Sequence, residues 1–444
     1  LERRSRLKSR DSEPPASNHT GVNRPSSLDS LAAPRQTGTM LHTVHPLAFA
    51  LSLLAAAPAF AADKATRVNV SAGGFDRRGV IVSFELPKAA REFRALRGPK
   101  GELVPVQVDA DGRAFFIEPE LKKGAVKSYQ LVGAGVDSAG VVAKKDGSVV
   151  KLSAGGKAVL QYQMEPSEVP SPDVPAYFRH GAYLHPVFSP AGKIVTGDYP
   201  RDHRWHRGIW FAWTHTEFEG RTPDFWNMGK EKDGKLTGAV EFDSLETTWS
   251  GPVHGGFRGK HRFVDWMSGQ PKPVLNETWS VTVYATGAGA KPVWVFDLVS
   301  TQECAASVPL KLPKYHYGGL GVRGSGQWDN PSKVIFLTAN GDDRAKGDST
   351  KARWVQFGGD VDGQPAGIAI LCHPDNFRAP QPLRLNPKNP QLCWAPSQDG
   401  DWEITPGKPY ISRYRFIIAD ATADAADIDR LWNNYANPPQ ISVE

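Results

Sequence analysis

Sulfur is scarce: 444 residues hold three cysteines, Cys304, Cys372 and Cys393, and four methionines. So few cysteines exclude a fold that depends on a disulfide framework. One bridge is still open, Cys372 with Cys393 by proximity in sequence, with buried free thiols as the alternative. Charge of one sign is lacking too, since 53 Lys and Arg face 47 Asp and Glu. There is no Lys/Arg block and no basic stripe interleaved with aromatics, which argues against a nucleic-acid partner. Beyond residue 62 no apolar run is long enough to span a bilayer as a helix. Nucleophile elbow, phosphate loop and kinase signature are all missing. A 3.6-residue period is absent until "ADAADIDRLWNNYA", which predicts a short closing helix near the C-terminus.

Turn formers and apolar strand segments are abundant. Glycine (43) and proline (36) separate Val-, Thr- and aromatic-rich runs, so the length is spent on strands and loops. Residues 1–39 are polar, Pro/Ser/Arg-rich and without period, and read as a non-native upstream extension. Residues 40–62, "MLHTVHPLAFALSLLAAAPAFAA", read as a signal peptide with a small-x-small end at Ala59 to Ala61. The expected location is periplasmic or secreted, with no membrane association after signal removal. Taking away 1–62 removes seven basic and four acidic residues and leaves 46 against 43, a formal charge of +3.

All thirteen tryptophans fall between Trp205 and Trp432. Before them, short alternating strands such as "GVIVSFELP" predict a small N-terminal β-sandwich over 63–165. Four prolines mark a linker over 166–175 and its approach. Strand after strand then predicts a large antiparallel β-sandwich, of the supersandwich kind, over 176–444, carrying the site on long loops. The expected fold class is all-β.

The chemistry concentrates in "YPRDHRWHRGIWFAWTHTEF", residues 199–218. On a strand His203 and His206 point to opposite faces, whereas a turn lets their imidazoles converge. With Asp202 beside them they suit acid/base work or two of the ligands of a divalent metal. His185 sits in an apolar segment where an imidazole needs a partner, and Arg207 closes the motif. "FEGRTPDFWNMG" supplies Arg221, Asp224 and Trp226, a set suited to sugar recognition: an indole stacks on a pyranose while charged groups bond its hydroxyls. "NETWSV" places Glu277 and Trp279 on one strand face, where a carboxylate's pKa rises and a general acid is made. "KYHYGGLGVRG" holds His316, Tyr317 and Arg323, with glycines that allow a close backbone approach. "LCHPDNFRAPQPLRLNP" puts His373, Asn376 and Arg378 in a loop after an apolar strand.

The order "HP", "SPAG", "DHRWHRG", "FEGR", "PDFWN", "NETW", "YGGLGVR" and "HPDN", spread over most of residues 70–420, resembles an exported bacterial family labelled "methane oxygenase PmoA", also catalogued as a domain of unknown function. In that family the central block often reads D-H-x-H-H-R-G; here Trp205 stands for the middle histidine. The family is similar in fold to galactose-mutarotase-like sandwiches, which host epimerases, lyases and hydrolases. The resemblance implies a carbohydrate or glycoside as the small-molecule partner. The expected function is acid/base chemistry on it, by a lyase, hydrolase or epimerase. His203, His206, His185 and Glu277 are the candidate catalytic residues, and Arg207, Arg221, Asp224, Trp226, His316, Tyr317, Arg323, His373, Asn376 and Arg378 are the candidate substrate-binding residues. Two other readings stay open: a non-catalytic carbohydrate-binding protein, and a metal-dependent oxygenase with His203 and His206 as ligands.

Overall fold

A computed structural model describes residues 66–133, 135–230, 234–286 and 292–444. The expected upstream extension and signal peptide lie outside the described residues. Within the described chain, strands dominate and pair antiparallel throughout. Among the described residues the longest helix is Ala425–Ala436, the one that the closing pattern predicts; Asp424 caps it by accepting from the Ala426 amide at 2.8 Å. No described helix is long and apolar enough to cross a membrane.

Two eight-stranded sheets form the body. One runs, edge to edge, through Gly238–Trp249, His254–Asp265, Lys272–Tyr284, Val293–Cys304, Tyr410–Ala419, Gln364–Cys372, Trp354–Val361 and Ile335–Thr338. Its long strands alternate: in Lys272–Tyr284 the side chains of Glu277, Trp279, Val281 and Val283 are buried on one face. The other sheet orders Leu383–Leu385, Gln391–Trp394, Gly319–Arg323, Ile209–Ala212, Tyr183–Val187, Lys157–Gln163, Val149–Ala154 and Val141–Asp146. Apolar side chains of both sheets, among them Trp213, Trp279, Phe296, Trp394 and Phe416, merge into one core. This is the sandwich that the alternation predicts.

A second core, built on Val68, Val80, Phe84, Phe116 and Tyr129, fills the N-terminal part. It lies between a five-stranded and a three-stranded sheet, and the C-terminal strand Gln440–Val443 pairs with Arg67–Ser71 to complete the larger of them. Sheet membership does not change at residue 165. Strands Val141–Asp146, Val149–Ala154 and Lys157–Gln163 belong to the second large sheet, because Lys157–Gln163 pairs with Tyr183–Val187 across the proline-rich stretch. Of the two alternatives left open for the cysteines, the structure has the free thiols: no bridge joins Cys372 and Cys393, and Cys304 is free too. Cys372 and Cys393 lie on strands of the two opposed sheets, and burial raises both thiol pKa values, to about 11 and about 12.

Candidate functional site

Two tight turns shape the histidine segment. The His203 amide donates to Pro200 O at 3.2 Å and the His206 amide to His203 O at 2.9 Å, so the chain winds instead of extending. The two imidazoles therefore stack, with centroids 4.6 Å apart and planes at 15°. Gly208 then carries the chain into the strand Ile209–Ala212; a Cβ there would lie 2.0 Å from Leu184 O, so no larger residue fits. On the neighbouring strand Gly321 leaves room for the Trp210 and Trp226 rings. That is the close approach expected of this glycine run.

His203 is the accessible member of the stack, its side chain 32% exposed. Its Nδ1 lies 2.9 Å from Asp202 Oδ2. Asp202 in turn accepts from Arg323 Nη2 at 2.9 Å and from Asn389 Nδ2 at 2.5 Å. Partial burial pushes the Asp202 pKa up, but the bonds from His203 and Arg323 outweigh it and hold the carboxyl well below the usual range. An ionised Asp202 fixes the tautomer of His203: Nδ1 carries the proton and Nε2 is left free. His206 beneath is buried, and desolvation, then the neighbouring His203, keeps its pKa well below 6.5. It is a neutral ring that supports His203.

A groove crosses this point. One arm, ≈ 990 Å³, is lined by Trp205, Thr214, His215, Asp224, Asn227 and Tyr317. A central pocket of ≈ 220 Å³ shares Trp205, Asn227 and Tyr317 with that arm and adds His203, His206, His316 and Gln391. The other arm, ≈ 560 Å³, shares His203, Arg384 and Asn386 with the central pocket. Tyr317 Oη accepts from Asn227 Nδ2 at 2.9 Å, and the same amide reaches Asp224 Oδ2 at 2.7 Å. Asp224 Oδ1 accepts from the amides of Trp226 and Asn227 at 3.0 and 2.8 Å, which fixes the turn. Burial raises the pKa of Asp224 and pushes the Tyr317 phenol up to about 12. Trp205 sets its ring edge-on to both imidazoles, and its Nε1 is a buried donor without a partner.

The structure thus brings together His203, His206, Asp224, Trp226, His316 and Tyr317. The other candidates are committed elsewhere. Arg207 is fully buried, stacked over Tyr199 and bonded to Asp198, His180 and Phe178 O. Arg323 lies buried behind the wall, tied to Asp202 and Asp329. Arg221 pairs with Asp265 at 2.6 Å. His185 bonds Thr196 Oγ1 at 2.9 Å through Nδ1. Glu277 is buried in the core among His261, Ser300 and Gln302, at 2.9, 2.5 and 2.9 Å. It sits on the face with Trp279 as expected, but that face is the sandwich interior. In the loop after Cys372, Asn376 staples Arg413, Arg378 donates to Pro396 O and Gly400 O, and His373 packs on Tyr435. None of these three lines the groove.

Sequence reasoning missed Arg384, Asn386, Asn389 and Gln391. Their signal is the segment "RLNPKNPQ", in which two prolines fix a loop dense in amides. As a metal site the stacked pair is poorly shaped: imidazole lone pairs lie in the ring planes, and planes 15° apart cannot aim both at one ion. Among the described residues no three His, Cys, Asp or Glu side chains gather to hold a metal.

The profile of a family of unknown function, DUF6807, matches residues 149–433. No curated protein matches the sequence. Among solved structures the chain is similar to a protein in glycosyl hydrolase family 38 from Enterococcus faecalis: 10% identity, TM-score 0.36, 86% of this chain and 47% of that one. An alpha-mannosidase from Enterococcus faecalis V583 gives 10%, 0.36, 86% and 46%. A galactose mutarotase related enzyme from Lactobacillus acidophilus gives 7%, 0.22, 64% and 98%. The chain spans about half the length of the first two.

Proposed function

This chain belongs to the family of unknown function DUF6807, and from its groove we propose that it is an exported carbohydrate-active enzyme using His203 as the acid/base group on a sugar or glycoside. The observation that carries this reading is the Asp202–His203 pair, with one nitrogen held at 2.9 Å and the other free at the meeting of two pockets. A base oriented by a second group, in a groove, is the usual arrangement for moving a proton.

His203 Nε2 takes a proton from a sugar C–H or O–H, and Asp202 stabilises the imidazolium that forms. The Tyr317 phenol keeps its own proton at neutral pH and is the donor in the same pocket. Asn227 and Asp224 hold that phenol in place. Half-buried Trp205 and Tyr317 offer ring surface to a pyranose, while the amides of Asn386 and Gln391 match its hydroxyls.

The oxygenase named by the PmoA label needs a redox metal with converging ligands. The parallel rings of His203 and His206 favour the carbohydrate reading over it. Export rests on the leader read at 40–62. The test is a screen of the full chain against glycosides, polysaccharides and their oligomers, with His203→Ala in parallel. Product formed by the wild type and lost in the variant supports the proposal; sugar binding that persists in both without product returns the chain to a binding protein.

A further inference from the structure

The two arms of the groove differ in what they leave uncommitted. In the arm shared by Thr214, Asp224, Asn227 and Tyr317, the one Lys or Arg among the described lining residues is Lys235, and hydroxyls and amides predominate. The other arm presents Arg201, Arg384 and Lys388. Its two carboxylates, Asp202 and Asp329, are both bonded to the buried guanidinium of Arg323, which offsets one of their two charges and leaves the three cations in excess. Arg384 holds Asp348 at 2.7 Å through Nη1. Lys388 makes no ion pair within 4 Å among the described residues, and Arg201 lies near Asp173, whose carboxyl it helps hold low, while that carboxylate bonds Arg204 at 2.8 Å.

A second observation points the same way. Gln391 is 4% exposed, lines the central pocket, and its Nε2 has no hydrogen-bond partner. Cys393, two residues along the strand, offers it only a weak sulfur acceptor. A buried donor left unpaired is costly, and a ligand acceptor removes that cost. The loop that carries these groups is prefolded: Asn386 Oδ1 accepts from the Lys388 amide at 2.9 Å, and Asn389 Oδ1 from the Gln391 amide at 3.2 Å. The donors on this side of the groove are Lys388 on that loop and Arg201 on the histidine segment, with Gln391 Nε2 at the junction with the central pocket. A surface with donors and few free acceptors selects a ligand that only accepts, and an anionic oxygen group is such a ligand.

We propose that the arm bounded by Arg201, Arg384 and Lys388 is a subsite for an anionic group, a carboxylate or a sulfate ester, carried by the sugar beside the one at His203. The inference rests on the carbohydrate reading above and narrows it to acidic glycans, bound in one direction along the groove. The hydroxyl-rich arm takes a neutral unit and the cationic arm the charged one.

The test is calorimetric titration of the full chain with methyl β-D-glucuronide, glucose 6-sulfate, methyl β-D-glucoside and inorganic sulfate. The double variant Arg201→Gln/Lys388→Gln is titrated alongside; both side chains are exposed, so it keeps the fold. At least one anionic sugar should bind about tenfold tighter than the glucoside, as charge-assisted bonds imply, and the double variant should erase the difference. Preference between glucuronide and sulfate ester tells which anion is read. Gln391→Leu should weaken the anionic sugar severalfold without changing charge. Equal binding of glucoside and both anionic sugars, or a preference that survives the double variant, overturns the subsite and leaves the carbohydrate reading intact. Inorganic sulfate binding as tightly as the best sugar also overturns it, as a bare ion site. No binding of any sugar defeats both readings.

Discussion

His203 Nδ1 and Asp202 Oδ2 lie 2.9 Å apart, and Asp202 is itself clamped by Arg323 and Asn389. The consequence is directional: the imidazole is held by one nitrogen and works with the other. His206 lies stacked beneath it, buried and uncharged.

That difference separates the two histidines by experiment. His203→Ala removes a half-exposed side chain, so melting should shift by no more than a degree or two while turnover is lost, about the scale expected of a surface change. His206→Ala opens a hole between Trp205, Trp210 and Trp226 and should cost roughly 2–5 kcal/mol, as other large-to-small core changes do. Thermal melts of both variants decide it; equal stability losses would contradict the assignment.

Two residues that read as site candidates should instead behave as supports. Arg207→Leu leaves Asp198 and the Phe178 carbonyl without their buried partner, and Glu277→Leu strands His261, Ser300 and Gln302. Each should lose about 3–5 kcal/mol in urea unfolding, the usual cost of breaking a buried charged network. Glu277→Gln keeps the shape and should retain turnover per folded molecule. A Glu277→Gln protein that folds normally and is inactive would show that the carboxylate takes part in the chemistry.

Much of this was legible in the sequence. Period-2 alternation gave the strands, the tryptophan-rich segment marked the stretch that lines the groove, and Pro200 and Gly208 marked the turns that let His203 and His206 meet. Partnership across the sheets was not legible. Glu277 faces His261 because register pairs those positions on adjacent strands, and Arg323 reaches Asp202, 121 residues earlier. Local pattern shows that an arginine or glutamate is there, not which carboxylate or imidazole has already claimed it. The sheet break was missed for the same reason, since strand Lys157–Gln163 finds its partner beyond the prolines. "RLNPKNPQ" was passed over because its amides lack the reactive side chains that draw attention.

Acid should destabilise the fold from near neutrality. His180, His185 and His206 all have lowered pKa values, chiefly by burial, His180 to about 3. Unfolded, each titrates near 6.5. Above about pH 6.5 neither state is protonated and the groups are silent. Below it the unfolded chain takes up protons that the folded chain refuses, so stability falls with falling pH, by up to about 1.4 kcal/mol per unit for each group. Melting temperatures from pH 7.5 to 5 should decline; a flat or rising profile would contradict the buried neutral rings.

Metal should prove dispensable. Protein purified without affinity histidines should carry less than a stoichiometric amount of any transition metal, and chelation should leave its melting temperature unchanged. One equivalent of metal that disappears in His203→Ala/His206→Ala would contradict the stacked geometry and restore the oxygenase reading.

The most direct test of the central claim is the turnover of Asp202→Asn on whichever glycan the wild type converts, with kcat and KM measured separately. Asp202 lines the cationic arm but not the central pocket, so on a neutral glycan the account predicts a kcat lower by about 100-fold or more, since an amide can no longer fix the tautomer or stabilise the imidazolium. KM should change little. A kcat equal to that of the wild type, on a variant shown to be folded, would contradict the claim that an aspartate-oriented His203 moves the proton.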